Sequence, residues 1–401
     1  MQKIRSWAHL SRLAGTAAAA TALLVACGGN NDVPGTGDPA GGPATKGSFT
    51  ALVSFGDSLS DVGAYAPATS LTGNGQAPFF GGKFTANAAA PGGKVWVENV
   101  ATTVGLLVTP GEVGFGSTSA RCPAAANPAL AGTCTAYGQG GSRVTDPNGI
   151  GKATGALTVP MNTQIANHLQ RFSSFKASDL ILVWGGNNDV FIQFGAFSAK
   201  ATQIQTDAAA GKLTADQANL ALFQAQSAAQ AELKVAALTL ASYVKSEILA
   251  KGGVYVAVMN LPDSALTPFG SSLPATAKPV LTTLVDTFNL WLRDGLTGLP
   301  VRLIDQNTIG KDVYANPGKY GFVNNSVPTC DAAKILAITR GSVTDGSSLF
   351  CNSTVGAPFN GIRTGADVNT WQFADGVHPT PGGHKAISDY VTSQLRAFGW
   401  I

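Results

Sequence analysis

Charge is scarce in this 401-residue chain: Asp, Glu, Lys and Arg make up 12% of it, about half the share of roughly 25% usual for soluble proteins. The net charge of +3 is small for the length, and no cluster of Lys and Arg interleaved with aromatics occurs. A nucleic-acid partner is therefore not expected. Long apolar runs are also lacking: the most apolar stretch, Ala14 to Ala26, is too short to cross a bilayer. There is no CxxC pair with a neighbouring His pair, so zinc is not expected, and no internal repeat that would mark a solenoid. What is present is 45% hydrophobic residues, ample for a large core, together with 48 Gly and 21 Pro, which imply long neutral loops.

The N-terminus has three parts. Lys3, Arg5 and Arg12 precede the apolar stretch without an acidic residue, as in a secretory signal, and Leu24-Val25-Ala26-Cys27 resembles a bacterial lipobox, in which the Cys becomes the lipidated first residue. Residues 1–26 then form a lipoprotein-type signal peptide and Cys27 a lipid anchor to a membrane; the alternative is an ordinary signal cut nearby. Gly28 after the Cys favours the outer membrane by analogy with known lipoproteins, and otherwise an extracellular or periplasmic location is expected. Gly28 to Gly47 holds seven Gly and three Pro and reads as a passive tether, with an r.m.s. reach on the order of 25 Å. Removing the signal removes three of the 26 basic residues, so the remainder equals the 23 acidic ones and the exported chain is formally neutral.

Four cysteines remain: Cys122, Cys134, Cys330 and Cys351. An even number in an exported chain favours disulfides, and pairing of sequence neighbours, Cys122 with Cys134 and Cys330 with Cys351, is the simplest of three connectivities.

Short apolar runs at Ala51–Phe55, Leu180–Trp184, Val254–Val258 and Val301–Ile304 read as buried strands. Between them lie helical stretches, the clearest from Thr214 to Lys251, with others at Val280–Leu292 and Gly383–Phe398. Strands apolar throughout and alternating with helices predict a three-layer α/β/α sandwich around a parallel sheet, in one domain. Gly63 to Pro160 reads as long loops with one helix near Val95–Val104.

Phe55-Gly56-Asp57-Ser58-Leu59-Ser60-Asp61 presents a serine directly after a strand, where the strand end holds the backbone and the turn exposes the hydroxyl. It is not a GxSxG elbow, because Ser60 stands where the second Gly belongs. A base must come from His168, His378 or His384. His168 lies in a helical context and reads as a surface or half-buried residue; His384 opens the last helix and reads as a capping or packing residue. His378 follows Asp375 by three residues in a loop held by Gly and Pro, a spacing that lets the carboxylate reach Nδ1 and leave Nε2 for a serine. Trp184-Gly185-Gly186-Asn187-Asn188-Asp189 opens at the same strand ends, and Tyr137-Gly138-Gln139-Gly140-Gly141-Ser142 is a second Gly-rich turn; both are candidate sources of oxyanion donors.

Together these segments resemble the SGNH, or GDSL-type, serine hydrolase family, in its longer, lipase-like bacterial subgroup. Gly56–Asp61 matches the first block, Gly140-Gly141 the second, Gly186–Asp189 the GxND block and Asp375–His378 the closing DxxH block. The resemblance implies a Ser58–His378–Asp375 triad, an oxyanion hole of the Ser58 and Gly141 N–H groups and the Asn188 amide, no metal or organic cofactor, and a hydrolase domain over residues 49–401 after a linker at 27–48. Lys94–Glu98 and Asn316–Phe322 are further matches. Ala136 stands where relatives usually carry Asn, which leaves the hydrogen bonding of the Gly141 turn unexplained.

The expected activity is that of an exported esterase or lipase acting through an acyl-enzyme on a lipid, acyl ester or polyester, with a monomer as the default. The resemblance also admits a phospholipase, an acyltransferase or a polysaccharide O-deacetylase. A non-catalytic surface lipoprotein serving as a binding module is the reading from another class. Phe191, Ile192, Phe194 and Phe197 after the oxyanion Asn either line an acyl pocket or belong to the core.

Overall fold

The computed structural model describes residues 34–72, 82–88, 93–354 and 360–401; the signal segment and Cys27 lie outside the described residues. Strand β1 (Ala51–Gly56) is followed by α1 (Ala66–Thr72), α2 (Trp96–Thr103) and a hairpin of β2 (Glu112–Phe115) and β3 (Thr118–Arg121). Helix α3 (Met161–Phe172) leads to β4 (Asp179–Trp184), α4 (Asn187–Ala209), α5 (Ala215–Tyr243) and β5 (Tyr255–Met259). Then come α6 (Pro268–Ser272), α7 (Lys278–Gly295), β6 (Arg302–Ile304), α8 (Gln306–Ala315), α9 (Ala332–Ile338) and α10 (Pro381–Ala397).

The main sheet has the order β1-β4-β5-β6, all parallel, and β4 and β5 are buried along their whole length. Burial on both faces is why these strands carry no polar alternation. Phe55 on one face meets His168 of α3, while Trp184 on the other meets Trp96 of α2, so helices cover the sheet from both sides as a three-layer α/β/α sandwich. Thr135–Tyr137 extends the sheet beyond β1, with Ser54 N–H donating to Thr135 O and Tyr137 N–H to Ser54 O.

Local signals account for the helix ends. Thr214 accepts from the Gln217 N–H while the Gln217 side chain accepts from the Thr214 N–H, a capping box that starts α5. A π-turn at Val244–Ile248 and a 3₁₀ turn continue that helix to Lys251, and Gly252, at φ +100°, ends it. Pro381 at the first turn of α10 needs no N–H partner, and Thr380 Oγ1 accepts from Gly383 N–H.

Three features differ from the sequence expectation. The loop-rich stretch before Pro160 holds α1 and the β2–β3 hairpin besides the expected helix; α1 and both hairpin strands are too short to carry a readable period. Residues 34–47, part of the expected tether, lie along the domain. Ala40 N–H donates to Leu299 O, Gly47 N–H to Trp400 O and Trp400 Nε1 to Pro43 O, while Asp38 pairs with Arg293. A backbone poor in side chains can approach another chain closely, so the composition that rules out a core permits a strap. Finally, His168 is fully buried, 2% exposed, among Phe55, Tyr137, Phe172 and Phe175. A helical context alone does not reveal which face of α3 meets the sheet.

Candidate active site

The register of the sheet brings the first two motifs together. Gly56 pairs with Trp184 at the ends of β1 and β4, and the chain turns away just beyond both, so Ser58 and Asn187-Asn188 emerge side by side at the carboxyl edge of the sheet. Gly56 is held there by the Gln164 amide, which accepts from its N–H at 3.0 Å and donates to its carbonyl at 2.8 Å. A Cβ at Gly56 would run into the Trp184 carbonyl, so only glycine allows this approach. Asp57 caps the turn Ser58–Ser60 by accepting from the Leu59 N–H.

His378 Nε2 lies 2.8 Å from Ser58 Oγ, and its Nδ1 lies 2.8 Å from both Asp375 oxygens. A carboxylate at Nδ1 requires the proton there, so Nε2 is the acceptor facing the serine hydroxyl. Asp375 also accepts from the N–H groups of Ser348, Val377 and His378. Burial works against ionisation of Asp375, but the His378 ring and these hydrogen bonds outweigh it and hold the carboxyl well below the usual carboxylate range. Phe84 covers the imidazole with ring centroids 4.8 Å apart, and Asp375 and His378 are both buried.

The second Gly-rich turn lies against the same residues. A Cβ at Gly138 would meet the Ser60 carbonyl at 2.8 Å, and one at Gly140 would strike Phe84. Gly140 N–H is taken by Asp61 Oδ2 at 2.9 Å, whereas the N–H of Gly141, at φ +78°, has no acceptor among the described residues. Asn188 Nδ2 donates one hydrogen to Ser142 O at 2.8 Å, and among the described residues no acceptor takes the other. Ala136 takes no part in holding the turn through its side chain; Asp61 and Tyr65, whose hydroxyl donates to Gly140 O, hold it instead.

The residues Asn187-Asn188-Asp189 tie α4 to two segments, the turn at Asp57 and the stretch Ser142–Val144. Asn187 Nδ2 donates to Asp57 Oδ2, Asn188 reaches Ser142, and Asp189 accepts from Arg143 Nε and the Val144 N–H. Burial pushes both Asp57 and Asp61 up to about 6, opposed by the hydrogen bonds they accept, and it raises Asp189 against the pull of Arg143. Asp57, Asp61, Asn187 and Asp189 are visible in the sequence only as letters of the motifs. Tyr65, Phe84, Gln164 and Ser348 carry no signal there, because their contacts are made across 27 to 294 residues of chain.

His384 is fully buried, its Nδ1 accepting from Trp96 N–H and its Nε2 facing Phe84 O, which fits a packing role. Phe191 and Phe194 are buried and meet Phe269 edge-on, while Ile192 and Phe197 are half-buried. Phe269 N–H in turn donates to Gly376 O, so this aromatic group supports the loop that carries Asp375 and His378. The cysteines form the two expected pairs, with Cα atoms 5.3 Å apart for Cys122–Cys134 and 6.0 Å for Cys330–Cys351. Among the described residues no helix is long and apolar enough to cross a membrane.

This chain is similar to known proteins. A sequence model described as GDSL-like lipase/acylhydrolase covers residues 52–391. Proteins called Esterase EstA, from Pseudomonas aeruginosa and Pseudomonas putida, are each 32% identical to this chain over 149 residues, which is 36% of this chain and 20% of theirs. The match thus spans a fifth of the length of these curated relatives.

Proposed function

The chain belongs to the GDSL-like lipase/acylhydrolase family, and on that premise we propose that it is a carboxylic ester hydrolase working through Ser58, His378 and Asp375. The observation that carries the reading is the unbroken relay of 2.8 Å contacts from the Asp375 carboxylate through the imidazole to the Ser58 hydroxyl.

Ser58 Oγ attacks the ester carbonyl as its proton passes to His378 Nε2, and Asp375 stabilises the imidazolium through Nδ1–H. The tetrahedral oxyanion lies against the Ser58 and Gly141 N–H groups and the free hydrogen of the Asn188 amide. The C–O bond to the alcohol breaks, His378 returns the proton to the departing alkoxide, and an acyl-enzyme remains on Ser58. Water then repeats the sequence, giving its proton to His378, and Ser58 recovers a proton as the acid leaves.

Export is part of the same proposal. We assign residues 1–26 to a lipoprotein-type signal, Cys27 to a lipid anchor, 27–48 to a connecting segment whose residues 34–47 are strapped along the domain, and 49–401 to the hydrolase domain. Two disulfides support an oxidising compartment. A p-nitrophenyl ester series of increasing chain length, run beside a phospholipid and an acetylated glycan, tests the activity and ranks substrates. Turnover of at least one ester, lost by roughly 10⁴-fold or more in Ser58→Ala, is expected. Unchanged turnover in that variant would overturn the assignment.

A further inference from the structure

We propose that Tyr65 is a positioning residue for the oxyanion hole, acting through the single peptide group that joins Gly140 to Gly141. The inference rests on the proposed role of the Gly141 N–H as an oxyanion donor. Tyr65 is 1% exposed, and its hydroxyl donates to Gly140 O at 2.7 Å. That carbonyl and the Gly141 N–H belong to one planar trans peptide, in which they point in opposite directions. Fixing the carbonyl therefore fixes the N–H, and a hydrogen bond accepted at the carbonyl makes the N–H of the same group a stronger donor.

The rest of the turn leaves this role open. Asp61 grips the neighbouring Gly140 N–H, which belongs to the preceding peptide and does not control the plane of the next one. Gly141 adopts φ +78°, a region where glycine has wide freedom, and among the described residues the Tyr65 hydroxyl is the hydrogen bond that restrains the Gly140–Gly141 peptide on its carbonyl side. The Tyr65 hydroxyl also accepts from Thr158 N–H at 3.2 Å, which extends the chain of donors one step further: Thr158 N–H to Tyr65 O–H to Gly140 C=O, and from the same peptide Gly141 N–H to the oxyanion. The Tyr65 ring sits edge-on to Phe84, the residue that covers His378, so its orientation is locked by the packing around the base.

Tyr65→Phe removes the hydroxyl and leaves the ring. The full-length protein should then lose about tenfold in kcat at nearly unchanged KM, since the hydroxyl acts on a donor that matters most once the oxyanion forms. Affinity for a boronic acid, which forms a tetrahedral adduct on the serine, should fall by a similar factor, and the acyl-enzyme carbonyl stretch should move to higher wavenumber as its hydrogen bond weakens. Asp61→Asn, which turns an acceptor into an ambiguous amide beside Gly140 N–H, should lower kcat as well without moving the serine's pairing to His378. Wild-type kcat, boronate affinity and carbonyl stretch in a folded Tyr65→Phe protein would overturn this inference and leave the hydrolase reading standing. A Tyr65→Phe protein that does not fold would make Tyr65 a core residue and overturn the positioning role. A wild-type protein inactive on every ester overturns the hydrolase reading and this inference with it.

Discussion

Ser58 and His378 meet across 2.8 Å, yet they are held by opposite means. Ser58 stands one turn beyond the paired ends of β1 and β4, strands buried from Leu52 to Gly56 and from Asp179 to Trp184, so backbone ladders and core packing set its place. His378 and Asp375 belong to no strand of that sheet. Their loop closes on itself through Ala374 N–H to His378 O, and it is gripped by the segment between Cys330 and Cys351. Thr329 N–H donates to Phe373 O, Cys330 N–H to Ala374 O and Ser348 N–H to Asp375. A small second core under this loop, including Tyr65, Phe84, Ile335, Leu349 and Phe350, contains both half-cystines. The 2.8 Å contact between them is thus set on one side by a sheet and on the other by a cross-linked loop.

The largest effect should come from the loop side. Asp375→Asn keeps the shape but no longer enforces the Nδ1–H tautomer, and kcat should fall roughly 10³- to 10⁴-fold at neutral pH with the fold intact by circular dichroism. On the sheet side, Asn188→Ala should cost about 3 kcal/mol of transition-state stabilisation, on the order of a hundredfold in kcat, with little change in KM. A milder loss for Asp375→Asn than for Asn188→Ala would invert the contrast between the two halves.

The disulfides sharpen it further. Removing Cys330–Cys351 by paired Ser substitutions, or Cys122–Cys134 likewise, should each lower stability by about 3 kcal/mol in denaturant unfolding. Only the first should also lower kcat, because only that bridge ties down Ser348 and the loop beneath Asp375. Equal kcat in both double variants would show that the acid needs no cross-link.

The smallest effect is one of pH on the sheet side. Burial, with a smaller push from Lys176, lowers His168 to about 4, whereas in the unfolded chain it titrates near 6.5. Between those values the unfolded state binds more protons, so His168 makes stability fall as pH drops from about 6.5 to about 4. His168→Leu should flatten that slope in thermal melts taken across the interval. Asp57 and Asp61, raised to about 6, act in the opposite sense and should keep their contribution in the variant.

The same division decided what was legible in the sequence. The four strands of the parallel sheet, helices α5, α7 and α10, and the helix α2 were visible from apolar runs and caps, since a parallel sheet imposes a pattern on the residues that build it. The Asp375–His378 pair was visible from its spacing of three. The supports of the loop side were not: Ser348 acts through its backbone N–H, and Phe84 and Tyr65 come from a stretch dominated by Gly, Ala and Thr with no period. The strap at residues 34–47 was hidden for a related reason, because its contacts are made by backbone groups that every residue type carries. His168 shows the converse, a polar letter that reads as surface or half-buried until Phe55, Tyr137, Phe172 and Phe175 close an aromatic wall around it.

The central claim is that the buried relay makes Ser58 a nucleophile, and labelling with a fluorophosphonate followed by peptide mass analysis tests it directly. The adduct should fall on Ser58 in the wild-type protein, and the labelling rate should drop at least about a thousandfold in His378→Ala. An adduct on Ser60 or another serine, or equally fast labelling without His378, would contradict the account.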